Sequence, residues 1–181
     1  MSRLSLLVIS AAMLVLSSCM KEDRELMYAN QETKIESFVD KQLSSNPDAR
    51  VIHNGGSTRI VMTEGEGVEL NARGRASILY AGYDFSKGSV SSSTMFVTNS
   101  KEFADASKWE ISDESVYEPL VIDLTDKDIL QGLLSGLEGV REGEECYILF
   151  SGKYAYGKSK IGTIPANSPL AFRIWVQGIE N

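Results

Sequence analysis

At 181 residues, 43% of them hydrophobic and 24% charged, the chain allows one domain of ordinary size plus appendages. Its 25 Asp and Glu outnumber 18 Lys and Arg for a formal charge of −7, a balance that speaks against a nucleic-acid partner. A single histidine leaves no cluster for a metal centre and no base for a serine or cysteine nucleophile, so the residues imply no cofactor and no covalent catalysis.

Arg3 supplies a positive start, and Leu4–Leu16 is apolar but shorter than the ~20 residues a membrane span needs. Residues 1–18 read as a cleaved export signal. Leu16-Ser17-Ser18-Cys19 resembles the bacterial lipobox, which implies that Cys19 is acylated and that residues 19–27 form a tether to the outer membrane, on its periplasmic or cell-surface face. Contact with the membrane is then through the lipid anchor only. An ordinary signal peptide that happens to hold a cysteine is the alternative. Loss of residues 1–18 removes Arg3 alone among the charged groups, moving the formal charge from −7 to −8. Lys21-Glu22-Asp23 resembles the short acidic tethers that send some Bacteroidota lipoproteins to the outer face, with a solvated spacer as the alternative. With Cys19 acylated, Cys146 is the remaining thiol and no intrachain disulfide can form. It lies in the apolar run Cys146-Tyr147-Ile148-Leu149-Phe150 and reads as a small buried hydrophobe.

From Tyr28 to Leu43 the apolar positions Tyr28, Ile35, Phe38, Val39 and Leu43 recur at helical spacing. Asn46-Pro47-Asp48 ends that helix, and Asn54-Gly55-Gly56-Ser57 predicts a hairpin between Ala49–Ile52 and Arg59–Met62. Residues 28–64 are therefore expected to form a helix and a hairpin ahead of a main domain at 65–181. Ala76–Tyr83 reads as a strand. Residues 84–100, rich in Ser, Gly and Thr, read as a long unpacked loop, and Lys101–Trp109 as one or two helical turns with Phe103 and Ala106 on one face. Leu120–Leu124 is a predicted strand, after which Thr125 is placed to cap a helix over Asp126–Gly136. Glu145–Ser151 and Leu170–Ile179 supply the last strands. The sum is an α+β domain, an antiparallel β-sheet with one short central helix.

Asp128-Ile129-Leu130-Gln131-Gly132-Leu133, Gly136-Leu137, Gly143-Glu144, Tyr154-Ala155-Tyr156-Gly157 and Gly162-Thr163-Ile164-Pro165 together resemble the FKBP-type peptidyl-prolyl cis-trans isomerases. The resemblance runs from about Leu120 to Ile179 and reappears at Ile78–Gly82. It implies an FKBP-like half-barrel of antiparallel strands wrapped on a short central helix, with the N-terminal helix and hairpin appended. It also implies a pocket between helix and sheet that takes proline-containing polypeptides and macrolide immunosuppressant-type ligands. On that resemblance Tyr80, Phe172, Ile129 and Leu130 wall the pocket, with Leu120 as a further wall. The main-chain N–H of Leu130 and the Tyr156 hydroxyl are the donors, Ile164 lines the covering loop, Leu133 is the floor, and Phe96 is the closest match to a further ring. Elementary chemistry agrees: rotating a prolyl amide meets a barrier of ~18–20 kcal/mol from lost resonance, and a catalyst needs only a dry pocket that favours the twisted form.

The chain also departs from the family pattern. Leu133 stands where the family commonly has tryptophan, and Phe96-Val97 where it has Phe-Asp, so an acidic partner is missing, a loss worth roughly one to two orders of magnitude in rate. Phe96 lies further from Gly82 than the family spacing, and Phe85 competes for its role. The loop Lys158-Ser159-Lys160 is shorter and basic. Three readings therefore stand open: an isomerase, a peptide-binding or chaperone module that kept the fold without turnover, and a structural surface protein whose pocket is filled by its own 84–100 loop. The Tyr28–Leu43 helix either docks on its own domain, leaving a monomer, or pairs with a second copy as helical appendages of some relatives do.

Overall fold

The computed structural model describes residues 3–109 and 114–181, with side chains from Lys21 onward, Glu114 excepted. The expected export signal and the acylation site at Cys19 fall where side chains are not described. Helix α1 runs Arg3–Ser45 and is followed by strands β1 (Arg50–Asn54), β2 (Ser57–Thr63) and β3 (Arg75–Asp84). Then come β4 (Met95–Thr98), helix α2 (Lys101–Ser107), β5 (Leu120–Asp123), helix α3 (Gln131–Leu137), β6 (Glu145–Phe150) and β7 (Leu170–Glu180). The strands form one antiparallel sheet in the order β1-β2-β6-β7-β3-β4, and β5 shares the free edge of β3 with β4. This is the FKBP-like α+β architecture. The N-terminal hairpin is continuous with the main sheet, since β2 pairs with β6 from Ser57↔Phe150 to Thr63↔Glu145.

Strand alternation sorts the core onto two faces. On one face Ile78 of β3, Cys146, Ile148 and Phe150 of β6, and Leu170, Phe172 and Ile174 of β7 pack with Leu133 and Leu137 of α3. On the other, Tyr83, Leu149 and Ala171 pack with Ile35 and Phe38 of α1, whose ring meets Phe85 and Tyr147 edge-on at centroid distances of 5.4 and 5.5 Å. The amphipathic stripe of α1 thus lies on its own sheet. Burial at Cys146 is complete and pushes its thiol well above the ordinary range.

Helix α3 approaches the sheet through bare backbone. A Cβ on Gly132 would overlap the Phe150 ring, and one on Gly136 would overlap Ile148. The hairpin grips the same helix from the side: Ser57 Oγ donates to the Gly132 carbonyl, Asn54 Nδ2 to that of Ser135 at 3.0 Å, and the Arg59 guanidinium to those of Gly136, Glu138 and Gly139 at 2.8–3.1 Å. Arg59 thereby satisfies the unpaired carbonyls at the helix C-terminus with a charge of the favourable sign. It also faces Glu144, with Nε 3.4 Å from Oε1 and both side chains almost wholly buried.

Two sequence expectations are corrected, and a third, helix α2 with Phe103 and Ala106 on one face, holds with added detail. Residues 84–100 are not an unpacked loop: β4 pairs with the β3 edge, Phe85 and Met95 are buried, and the Phe85 N–H donates to Pro169. Ser and Thr in the strand's surroundings concealed it, because edge pairing to Gly82 and Ala81 requires little apolar sequence. The short central helix starts at Gln131, not Asp126, and Thr125 does not cap it. Asp123 Oδ1 accepts from the Thr125 N–H and Asp126 Oδ1 from that of Asp128, local turns that compete with a helix. In α2, Ser100 caps through the Phe103 N–H and the buried residue is Ala104, while Ala106 is exposed.

Burial pushes the Glu144 carboxyl above its ordinary value despite the opposing pull of Arg59. Stability contributed by its protonated form is therefore full below the ordinary carboxylate range and is lost as pH rises through the raised pKa. Arg59→Met is expected to cost about 3–5 kcal/mol near neutral pH by stranding that carboxylate, and less in acid. Adding Glu144→Leu should restore the part due to the stranded charge and leave the lost helix cap; urea unfolding at two pH values checks both.

Candidate active site

Between α3 and the sheet lies an apolar cavity of about 470 Å³, open to solvent. One side of it is aromatic. Phe172 stacks on Phe150 with centroids 5.9 Å apart, meets Phe96 edge-on at 6.2 Å, and lies 6.3 Å from Tyr80. Tyr80 sits where β3 changes partners on its free edge, from β5 at Ile78 to β4 at Ala81. Asn99 bridges that gap as a surrogate strand. Its Oδ1 accepts from the Tyr80 N–H at 2.6 Å, and its Nδ2 donates to Ile78 and Glu118 carbonyls.

All nine residues expected to form the site, Tyr80, Phe96, Leu120, Ile129, Leu130, Leu133, Tyr156, Ile164 and Phe172, line this one cavity. Phe96 lines the cavity and Phe85 does not; Phe85 is fully buried on the opposite face against α1. The register shift between Gly82 and Tyr83 explains how the adjacent residues Phe96 and Val97 both reach the cavity, since Gly82 pairs with Val97 and Tyr83 with Met95. The 84–100 segment thus builds a wall and does not plug the hollow. Leu133 is a buried lining residue, and Leu120 and Ile161 stand at the mouth with 41% and 44% of their surface exposed.

Two of the lining residues carry hydrogen-bond donors, Leu130 on its main chain and Tyr156 on its side chain. Leu130 immediately precedes α3 with its carbonyl taken by the N–H groups of Leu133 and Leu134, both at 3.0 Å, while its own N–H has no partner among the described residues. Tyr156 is carried by the loop between β6 and β7, which is tied to α3 by the Gly132 N–H donating to the Tyr154 carbonyl at 3.0 Å. Burial, and then the neighbouring Tyr156, raise the Tyr80 hydroxyl above its ordinary pKa, so it stays neutral.

Sequence reasoning missed Ile78, Ile122, Val97 as a wall, Asp128, and the Ile161–Thr163 rim. Ile122 was legible from strand alternation with Leu120, and Asp128 from its place beside Ile129. Ile161 was not, because its position depends on the paired bonds it makes with Ile164 across the loop tip.

The sequence profile of the FKBP-type peptidyl-prolyl cis-trans isomerases matches residues 85–177, more than half of the chain. No curated protein sequence matches. Among solved structures, a peptidyl-prolyl cis-trans isomerase from Pseudomonas syringae is 20% identical with a TM-score of 0.57, over 87% of this chain and 96% of that one. FkpA from Escherichia coli is 18% identical with a TM-score of 0.56, over 99% and 74%. The three FKBP domains of wheat FKBP73 give 16% identity and a TM-score of 0.56 over 73% of this chain, which spans 51% of that longer one. At these identities the structural likeness shows the fold.

Phe172 meets the rings of Tyr80 and Phe96 in the cavity and that of Phe150 in the core behind it, and is 5% exposed. Phe172→Ala is expected to destabilise by about 3–5 kcal/mol in urea unfolding. Tyr80→Phe, which removes a hydroxyl with no hydrogen-bond partner among the described residues, should cost less than about 1 kcal/mol.

Proposed function

The chain belongs to the FKBP-type peptidyl-prolyl cis-trans isomerase family, and on that premise we propose that it isomerises prolyl bonds in exported or surface polypeptides. The observation that carries this reading is the convergence of the expected wall residues on one apolar cavity, whose lining includes Tyr156 and Leu130, the latter with a main-chain N–H that has no partner among the described residues. A proline ring enters among Tyr80, Phe172, Leu133 and Ile129, and the preceding carbonyl accepts from Leu130. No covalent bond is made or broken. A planar amide owes its stiffness to a charge-separated resonance form that water stabilises; an apolar cavity withdraws that support and so favours the twisted amide. The exposed Leu120 and Ile161 at the mouth suit apolar residues flanking the proline. The same cavity suits macrolide immunosuppressant-type ligands.

A peptide-binding or chaperone module is the second reading. Leu133 at the floor and Val97 in the wall favour it, because each replaces a group with which the family orients the strained amide.

We further propose that the domain is lipid-anchored through Cys19 on the outer membrane, on its periplasmic or cell-surface side, with the Leu16-Ser17-Ser18-Cys19 tetrapeptide as support.

In a protease-coupled assay on a short proline peptide, the wild type should accelerate isomerisation. Tyr156→Phe should lower kcat/KM about tenfold, the worth of one hydrogen bond, and Val97→Asp should raise it about tenfold or more by supplying a positioned carboxylate. Peptide binding without acceleration would select the binding module. Cys19→Ser should move the protein from the membrane fraction to the soluble one on cell fractionation; unchanged membrane retention would remove the anchor.

A further inference from the structure

The amphipathic stripe of α1 contains one polar residue that its apolar neighbours do not explain. Gln31 is 7% exposed and falls between Tyr28 and Ile35 on the buried face. An amide in that setting is costly unless its groups are paired. Both of its ends are paired, and both partners belong to the loop that carries Tyr156. Gln31 Nε2 donates to the Asn167 carbonyl at 2.8 Å, and Gln31 Oε1 accepts from the Gly152 N–H at 2.9 Å.

Gly152 and Asn167 are the two ends of that loop. They approach so closely that a Cβ on Gly152 would overlap the Asn167 carbonyl, and Asn167 itself is held at a left-handed φ of 58°. A second contact from α1 reaches the same place, with the Tyr28 hydroxyl donating to Asn167 Oδ1 at 2.9 Å. From this neck the chain runs out through Tyr156 to the exposed Lys158–Thr163 tip and returns through Ile164, so Tyr156, Ile161 and Ile164 hang over the cavity from one closed ring. Closure of a ring by a rigid helix reduces the freedom of everything it carries, and small displacements of a donor weigh heavily on a positioned reaction.

We propose that Gln31 is a positioning residue for the pocket: from α1, outside the residues that match the family profile, it clamps the neck of the 152–167 loop and so holds Tyr156 and Ile164 over the cavity. The helix that leads to the proposed membrane anchor is thereby part of the site's framework and more than a spacer. Only the kinetic readout of this proposal rests on the isomerase reading.

The test uses the full chain and two variants. With Gln31→Ala, amide hydrogen exchange in residues 153–166 should rise about tenfold while β3 and β7 keep their protection. Its kcat/KM should fall about tenfold, and adding it to Tyr156→Phe should cost less than about threefold further, because the donor it positions is already gone. Gln31→Glu is the near-isosteric control should the alanine variant fail to fold. A protonated Glu donates through one oxygen and accepts through the other, as Gln does, whereas its carboxylate repels the Asn167 carbonyl. The charged groups sharing the cleft, Asp23 and Lys34, are exposed, Lys34 donating to the Ser86 carbonyl, and the loop faces Gln31 with backbone groups. Gln31→Glu should therefore be impaired near pH 8 and recover toward wild type near pH 5, a profile the wild type lacks. Unchanged loop exchange in both variants, or a fully additive loss with Tyr156→Phe, overturns the proposal. An inactive wild type sinks the isomerase reading instead, and the exchange result then decides the clamp.

Discussion

The close seating of α3 on the sheet is the constraint on which the rest depends. Gly132 and Gly136 bring the helix backbone against Phe150 and Ile148, and that approach sets three things together. It sets Leu133 and Leu130 in the lining of the cavity, and places the Gly132 N–H where it holds the Tyr154 carbonyl. A bulkier ridge would lift the helix and open all three. Interiors packed to crystal-like density do not deform continuously, so such a shift would redraw the pocket, not loosen it.

A seven-residue helix cannot hold such a position by its own propensity. It is held from outside. β2 lends Ser57 and Arg59, and the charge of Arg59 requires Glu144 beneath it. A buried ion pair of this kind contributes little net stability once desolvation is counted, and its value lies in fixing one arrangement. The opposite wall is held in the same manner, with Asn99 standing in for a strand beside Tyr80 and the β4 bulge at Phe96 bringing both Phe96 and Val97 to the cavity. Each wall of an apolar cavity thus owes its place to a satisfied polar contact just behind it.

That division also explains what was legible beforehand. The cavity residues were readable because apolar and aromatic types at family spacing leave a strong pattern, and all nine meet in one hollow. Their supports were not. Gln31, Asn99 and Arg59 each look like an ordinary surface polar residue in sequence, since pairing with backbone groups 136, 19 or 77 positions away leaves no local trace. β4 was hidden for a related reason: a four-residue edge strand is specified by its partner's free backbone more than by its own side chains. The start of α3 was misplaced because Thr125 and Asp126 have helix-initiating character in isolation, yet here the Asp123 and Asp126 carboxylates hold local turns.

By itself the sequence determined the family, the α+β class, the amphipathic α1, the hairpin and nine of the residues that line the pocket, because hydrophobic periodicity, turn residues and short motifs are local properties of the chain. Only the tertiary structure decided that Phe96 and not Phe85 joins the aromatic side of the cavity, that residues 84–100 build a wall, and that α1 grips the neck of the Tyr156 loop. Those outcomes depend on register and on hydrogen bonds between segments far apart in the chain, and a shift of one residue in a strand reverses which side chains face the cavity.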